Sequence, residues 1–285
     1  MSWLIVGTIP REEFPLVHGP CDYDGRSLQV DGHDIPIARG TPALLATACI
    51  ASRILGIAAP LALLAGDTGR GQGSRQVYAK LVESIPEMDL QGVTFHYLQP
   101  DVEWHNKVFW KLEERNPRPL LVADAGFMYV AKMSGFATSY DLFTPDAGEM
   151  AFLADEKAPH PFYTRGFLLQ EEERIPELIE RAYAAENAAK HLLVKGCIDY
   201  VVAAGQLVTA ISEPSIPAME PIGGTGDTVT GLVTALLSAD YSIPQACTIA
   251  AKTNRQLGLL AAPTPAFSVA KLMPFLAQAL AISLE

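Results

Sequence analysis

The sequence predicts an α/β protein in three layers, α/β/α, around a mainly parallel central sheet. Short apolar runs of strand length recur along the 285 residues, and most are followed by a stretch whose apolar residues return at helical spacing. That alternation is the signature of parallel strands covered on both faces. Acidic or glycine-rich clusters follow the ends of the runs, where open parallel sheets gather their ligands. Hydrophobic content of 49% with 19% charged residues is enough for a sizeable core. No repeat, low-complexity tract or linker divides the chain, so residues 1–285 are expected to form a single domain.

Leu4 to Gly7 reads as a buried first strand. Arg11 to Gly40 is polar and rich in Gly and Asp, an irregular segment suited to a lid, a hairpin or an interface that covers a neighbouring subunit's site. Leu44, Leu45, Ala48, Ala51 and Leu55 then recur at helical spacing until Gly56 stops them. Ala62 to Ala65 is the next strand, and Val77, Leu81 and Val82 resume a helical stripe. Val93 to Leu98 and Leu120 to Ala123 are strands flanking an amphipathic helix from Trp104 to Arg115, which Pro117 and Pro119 terminate. Leu142 to Pro145 is a short strand, Glu171 to Ala189 a charged helix with Pro176 in its first turn, and His191 to Val194 a further strand. Tyr200 to Ala203 and Leu207 to Ala210 flank Gly205 as the arms of a hairpin. Three helical patterns close the chain, Val229 to Leu237, Pro244 to Leu260 and Ala270 to Ile282.

A net charge of −11 argues against a nucleic-acid or anionic-membrane surface, both of which demand clustered Lys and Arg. An anionic ligand therefore needs a local positive site. Cys21, Cys49, Cys197 and Cys247 show no metal or redox spacing and are expected to be reduced thiols. The start Met1 to Gly7 has no basic region and too short an apolar run for a secretion signal, and no stretch reaches membrane-spanning length, so a cytoplasmic location is expected.

The chemistry is concentrated in Ile222-Gly223-Gly224-Thr225-Gly226-Asp227, directly before the helical stripe from Val229. Glycine-exposed N–H groups and a helix N-terminus suit a phosphate or developing oxyanion, and Asp227 beside them suits proton removal from an alcohol. In isolation the same run serves equally as a helix cap. Asp146 and Glu149, in Thr144-Pro145-Asp146-Ala147-Gly148-Glu149, suit Mg²⁺ near nucleotide phosphates, or else simply place acids in a helix's first turn. Lys195-Gly196 after a strand suits a nucleotide phosphate. Gly66-Asp67, within the glycine-dense run to Gly73, suits a substrate hydroxyl. Walker and early dinucleotide fingerprints are missing. None of the histidines, His18, His33, His96, His105, His160 and His191, has a ligand-spaced partner, and none is assigned a catalytic role.

The order Gly40-Thr41-Pro42-Ala43, Gly66-Asp67, Thr144 to Met150, Val194-Lys195-Gly196 and Gly223 to Asp227 resembles the ribokinase-like superfamily. The nearest branch is the ADP/ATP-dependent NAD(P)H-hydrate dehydratases. The resemblance covers residues 120–240 well and the first hundred loosely. It implies Asp227 as catalytic base, with Gly224, Thr225 and Gly226 as an anion hole. It further implies Lys195, Gly196, Gly223 and Gly226 at the nucleotide, Gly40, Ala43, Asp67, Asp124 and Asp146 at the substrate, and Asp146 with Glu149 at Mg²⁺. ATP or ADP is then the co-substrate, and phosphorylation of a hydroxyl on the hydrated nicotinamide precedes loss of phosphate. Two departures stand out: Asp146-Ala147 replaces the branch's His-Pro, and Gln99 to Trp104 replaces its G-P-G-L-G loop. A sugar or vitamin-precursor kinase, or a nucleotide-binding protein without catalysis, is the alternative.

Overall fold

The computed structural model describes residues 1–156 and 174–285. The chain opens with β1 (Ser2–Ile9), the antiparallel meander β2 (Val17–Tyr23), β3 (Ser27–Val30) and β4 (His33–Pro36), then α1 (Thr41–Leu55) and β5 (Leu61–Gly66). It continues through α2 (Gln72–Ser84), β6 (Leu90–Phe95), α3 (Val102–Glu113), β7 (Leu120–Ala123), α4 (Gly126–Met133), β8 (Leu142–Phe143) and α5 (Ala147–Ala154). After the undescribed residues come α6 (Ile175–Ala184), β9 (His191–Val194), β10 (Asp199–Ala203), β11 (Gln206–Ile211), α7 (Thr225–Ser238), α8 (Ile243–Ala261) and α9 (Leu276–Leu284).

All eleven strands described form one sheet in the order β11-β10-β9-β8-β7-β6-β1-β5-β2-β3-β4. The six from β9 to β5 run parallel, with β1 between β5 and β6. Both flanks are antiparallel: β10 and β11 on one side, the 11–40 segment on the other. The expected parallel sheet is therefore the centre of a mixed one.

Successive side chains of a strand face opposite layers. In β1, Trp3, Ile5 and Ile9 join the core under α1, α7, α8 and α9, while Leu4 and Val6 join the core under α2 to α6. This is the three-layer α/β/α architecture. Helix α7 is buried all round from Thr228 to Leu237, because α1 and α8 pack against it in addition to the sheet. Its approach to α1 depends on Gly231, where a Cβ would lie 2.4 Å from the Leu44 carbonyl oxygen. Burial of Leu232, Val233, Leu236 and Leu237 contributes about 1.5–3 kcal/mol each, and this anchors the glycine turn at the head of the helix.

Two sequence expectations change, and one helix, α4, was not anticipated: it lacks a clean amphipathic stripe because five of its eight residues are buried. The last helix starts at Leu276 rather than Ala270, since Pro274 cannot donate inside a helix. The expected Glu171–Ala189 helix ends at Ala184, where the chain turns through Glu186 at φ 56° to enter β9; residues 171–173 lie outside the described part. No helix among the described residues is long and apolar enough to cross a membrane.

Candidate active site

The C-terminal ends of β1, β5, β6, β7, β8 and β9 open on one side of the sheet, and the first turn of α7 stands over them. Gly224 caps that helix at φ 108°, a conformation that costs glycine little, and a Cβ there would also meet Val269 at 3.1 Å. The first intrahelical bond is Thr228 N–H to the Gly224 carbonyl at 3.0 Å. The N–H groups of Gly226 and Asp227 precede it and have no carbonyl one turn back, which leaves the positive end of the helix open to an anion.

Two cavities lie near this turn: Thr225 and Gly226 line the second, and the first meets the turn through Arg39, which packs on Gly223, and Gly40, whose N–H bonds Asp227. The first, of about 500 Å³, is lined by Thr8, Arg39, Gly40, Asp67, Tyr97 and Gln99 among others. The second, of about 480 Å³, is lined by Asp146, Lys195, Gly196, Thr225, Gly226 and Arg255, and its apolar wall is Ile216, Pro217, Met219 and Val229.

Asp227 is held from several directions. Its Oδ2 accepts the Gly40 N–H at 2.6 Å, at the start of α1, and its Oδ1 bonds His96 Nε2 at 2.9 Å. Burial by itself raises a carboxyl pKa, but the hydrogen bond and charge of His96, the Lys195 ammonium and the Gly40 N–H outweigh it and hold Asp227 below the usual range. Asp227 is therefore a carboxylate at neutral pH.

Below it lies Asp124, at the end of β7 and 2% exposed. It accepts from Lys195 Nζ at 3.0 and 3.1 Å, from Thr230 Oγ1 at 2.5 Å and from the Ala125 N–H at 2.8 Å. Burial opposes the charge on Lys195, yet Asp124, Glu149 and Asp227 outweigh that penalty and keep it protonated. Its ammonium is close to the turn, 3.7 Å from where a Cβ on Gly226 would be. His96, Asp124 and Asp227 bring donor atoms within 4.8 Å of one another, the spacing a metal ion needs. Their lone pairs already face Lys195 and the imidazole, so the cluster is closed by its own hydrogen bonds.

The other expected residues divide. Asp146 caps α5, with its Oδ1 accepting the Glu149 N–H at 2.8 Å while Glu149 Oε2 accepts the Asp146 N–H at 2.8 Å, a reciprocal capping box. Desolvation, then the nearby Asp146 and Asp124 carboxylates, pushes Glu149 well up and favours its neutral form. Asp146 is exposed at the second cavity and has one oxygen free, which suits an Mg²⁺ whose other ligands are phosphates and water; a neutral Glu149 suits it less. Asp67 reaches the first cavity but spends both oxygens on its own loop. Oδ1 accepts the N–H groups of Gly69, Arg70 and Gly71, and Oδ2 accepts the Ser74 N–H and Oγ–H. Despite partial burial those bonds hold its pKa down, so it organises the cavity wall and the start of α2. Gly223 packs on Arg39, where a Cβ would meet Arg39 Cδ at 3.1 Å. Ala43 is completely buried in the core and lines neither cavity.

Several site residues escaped sequence reasoning. Arg255 on α8 donates to Asp199 at 2.8 Å and to the carbonyls of Gly196, Cys197 and Ser212, clamping the loop after Lys195. His96, set aside for want of a spaced partner, is wholly buried against Asp227. Its one sequence signal was its place directly after a strand, shared with Asp124 and Lys195. His160 lies outside the described residues.

A family profile described as NAD(P)H-hydrate dehydratase matches residues 99–276. An uncharacterized protein of Methanocaldococcus jannaschii is 39% identical over 221 residues, 77% of this chain and 90% of that protein. A bifunctional NAD(P)H-hydrate repair enzyme of Hyperthermus butylicus is 41% identical over 81 residues, 27% of this chain and only 14% of that protein. Among solved structures, a ribokinase-like superfamily protein of Enterococcus faecalis covers 99% of this chain and 87% of its own, with TM-score 0.58 at 14% identity. Phosphofructokinase-2 of Escherichia coli, as its Y23D mutant, covers 98% and 99% with TM-score 0.58 at 13% identity. At such identities the likeness shows a shared ribokinase-like fold. The family match spans more than half of the chain and contains the glycine turn, Asp124, Lys195 and every residue that lines the second cavity. With a ribokinase-like fold and a family match over more than half of its length, the chain belongs to the NAD(P)H-hydrate dehydratase family.

Proposed function

We propose that this enzyme transfers the terminal phosphoryl group of ATP or ADP to a hydroxyl of a hydrated nicotinamide dinucleotide, and that loss of phosphate then restores NAD(P)H. The observation that carries this reading is the position of the Gly223–Asp227 turn between two cavities, with open N–H groups and Lys195 on one side and a carboxylate on the other. The nucleotide occupies the second cavity, its base against Ile216, Pro217 and Met219 and its phosphates directed at Gly226 and Lys195. The substrate hydroxyl approaches Asp227 from the first cavity. As its oxygen bonds to the terminal phosphorus, the bond to the bridging oxygen breaks, the nucleotide leaves with that electron pair, and Asp227 takes the hydroxyl proton. The N–H groups of the turn and Lys195 stabilise the charge on the phosphoryl oxygens. Mg²⁺, held by Asp146 and the phosphates, supplies further charge neutralisation when bound.

A second reading, a kinase for a smaller alcohol, is favoured by one observation. Of the residues that line the first cavity, only Gln99 falls within the family match, and Gln99 belongs to the segment that replaces the branch's glycine loop. Incubation of the purified protein with NADHX and ADP or ATP, followed by NADH absorbance, separates the two. The dehydratase reading expects recovery of NADH with one of the nucleotides. No recovery with either, together with nucleotide turnover on an alcohol from a panel, establishes the second.

A further inference from the structure

We propose that His96 is a positioning residue that aims and tunes Asp227, with Thr41 as its support. The proposal rests on the reading of Asp227 as proton acceptor. An ionised carboxylate only accepts hydrogen bonds, so the 2.9 Å contact between Asp227 Oδ1 and His96 Nε2 places the hydrogen on Nε2. With Nε2 donating to Asp227, Nδ1 bonds Thr41 Oγ1 at 3.0 Å, accepting the hydroxyl hydrogen in the neutral ring and donating to the hydroxyl oxygen in the imidazolium. The ring is completely buried, and its plane lies edge-on to Tyr97 with centroids 4.4 Å apart. It has no freedom to swing away.

The chain makes room for this arrangement. His96 N–H donates to the Val6 carbonyl at 2.8 Å, which extends the β6 pairing with β1 by one residue, and Tyr97 then turns sharply at φ 49°. Across from it is Gly7, where a Cβ would lie 2.6 Å from both the His96 carbonyl and Thr41 Oγ1. Thr41 is the first residue of α1, and the preceding Gly40 N–H holds the other oxygen of Asp227. The helix that brings Thr41 to the imidazole therefore also grips the carboxylate. His96 comes from the segment just before Gln99 to Trp104, so the departure from the branch's loop coincides with a histidine on the base. The charged and titratable groups around Asp227 are His96 and Tyr97 after β6, Asp124 after β7, Lys195 after β9, Glu149 on α5 and Arg39 before α1.

The test compares pH profiles of kcat/KM for the nucleotide-dependent reaction, with nucleotide affinity and melting temperature as controls. His96→Leu removes the donor to Asp227. It is expected to lower kcat roughly 10- to 100-fold and to move the acid limb up by about one pH unit. His96→Gln, which keeps an amide N–H near the Nε2 position, is expected to restore the limb to its wild-type place. In histidine-labelled protein, the Nε2 proton resonance of His96 is expected far downfield and is lost in Asp227→Asn. If His96→Leu folds and keeps the wild-type kcat and profile while Asp227→Asn is inactive, the positioning role is wrong and the base assignment survives. If Asp227→Asn retains full turnover, the base assignment fails, whatever the resonance shows. Should His96→Leu not fold, Thr41→Val and His96→Gln carry the test. Thr41→Val is expected to lower kcat and shift the limb in the same direction, and a wild-type profile in Thr41→Val overturns the proposal.

Discussion

The two cavities beside the glycine turn are of similar size but differ in origin. The second is assembled from residues 146–255, from segments whose motifs stand in the sequence in a fixed order and lie within the family match. The first is assembled from residues 8–99, from ends of strands and helices that meet only in the folded chain. One side lies within the family match, and the other lies almost wholly before it. On the proposed reaction, phosphoryl chemistry would constrain the first turn of α7 and Lys195, which would face a charge developing at one point, and Asp124, which fixes Lys195. The side proposed to receive the alcohol would be freer to change.

The largest expected break in this comparison is Asp227→Asn, since that residue bonds Gly40 of the first cavity and senses the charge of Lys195 in the second. It should lower kcat by roughly 10²–10⁴-fold, the range for a general base, with nucleotide affinity little changed in a binding titration. The sign of the pH effect follows from the depressed pKa. The ionised Asp227 contributes stability above its unfolded pKa and loses it as pH falls through the lower folded value, so no activity limb from this residue is expected near neutrality in the wild type. Lys195→Met comes next, on the nucleotide side. It strands Asp124 buried and unpaired, at a cost of about 3–5 kcal/mol in stability measured by chemical denaturation. Because the lysine's folded pKa is raised, the wild-type pair holds through neutral and mildly alkaline pH and weakens only as pH rises through that value.

Arg39→Ala is expected to act on the substrate side alone. It should raise KM for the alcohol roughly 10-fold, as for loss of a hydrogen bond to a charged group, and leave KM for the nucleotide unchanged in steady-state kinetics. An equal rise in both would erase the division between the cavities. The smallest effect is expected from Glu149→Gln. With burial and the nearby carboxylates pushing Glu149 up toward its neutral form, the isosteric amide should shift stability at neutral pH by no more than about 0.5 kcal/mol. A collapse of Mg²⁺-dependent turnover in that variant would instead show that Glu149 ionises to hold the ion.

The two sides were also unequally legible in the sequence. The parallel core of the sheet, α1, α7 and α8 were readable because their apolar periodicity is strong and glycine or proline marks their ends. The placement of Gly224, Gly226 and Asp227 at one helix start, and of Lys195 after a strand, was readable because local sequence sets it. His96 was not, because its partners Thr41 and Asp227 stand 55 and 131 residues away. Asp67 was read as a substrate ligand because an acid in a glycine-rich loop looks available; only the folded loop shows that it consumes five hydrogen bonds of its own. The 11–40 segment did not reveal its three strands because they are only 7, 4 and 4 residues long and offer few apolar residues to mark an inward face.

On the proposed reading, one turn separates a nucleotide site from an alcohol site, and a crystal structure with ADP, NADPH and Mg²⁺ bound decides it. ADP is expected in the second cavity with its terminal phosphate within hydrogen-bond reach of the Gly226 N–H and Lys195 Nζ, and the nicotinamide ring in the first cavity beside Asp227. ADP bound in the first cavity, or a terminal phosphate remote from the glycine turn, would contradict it.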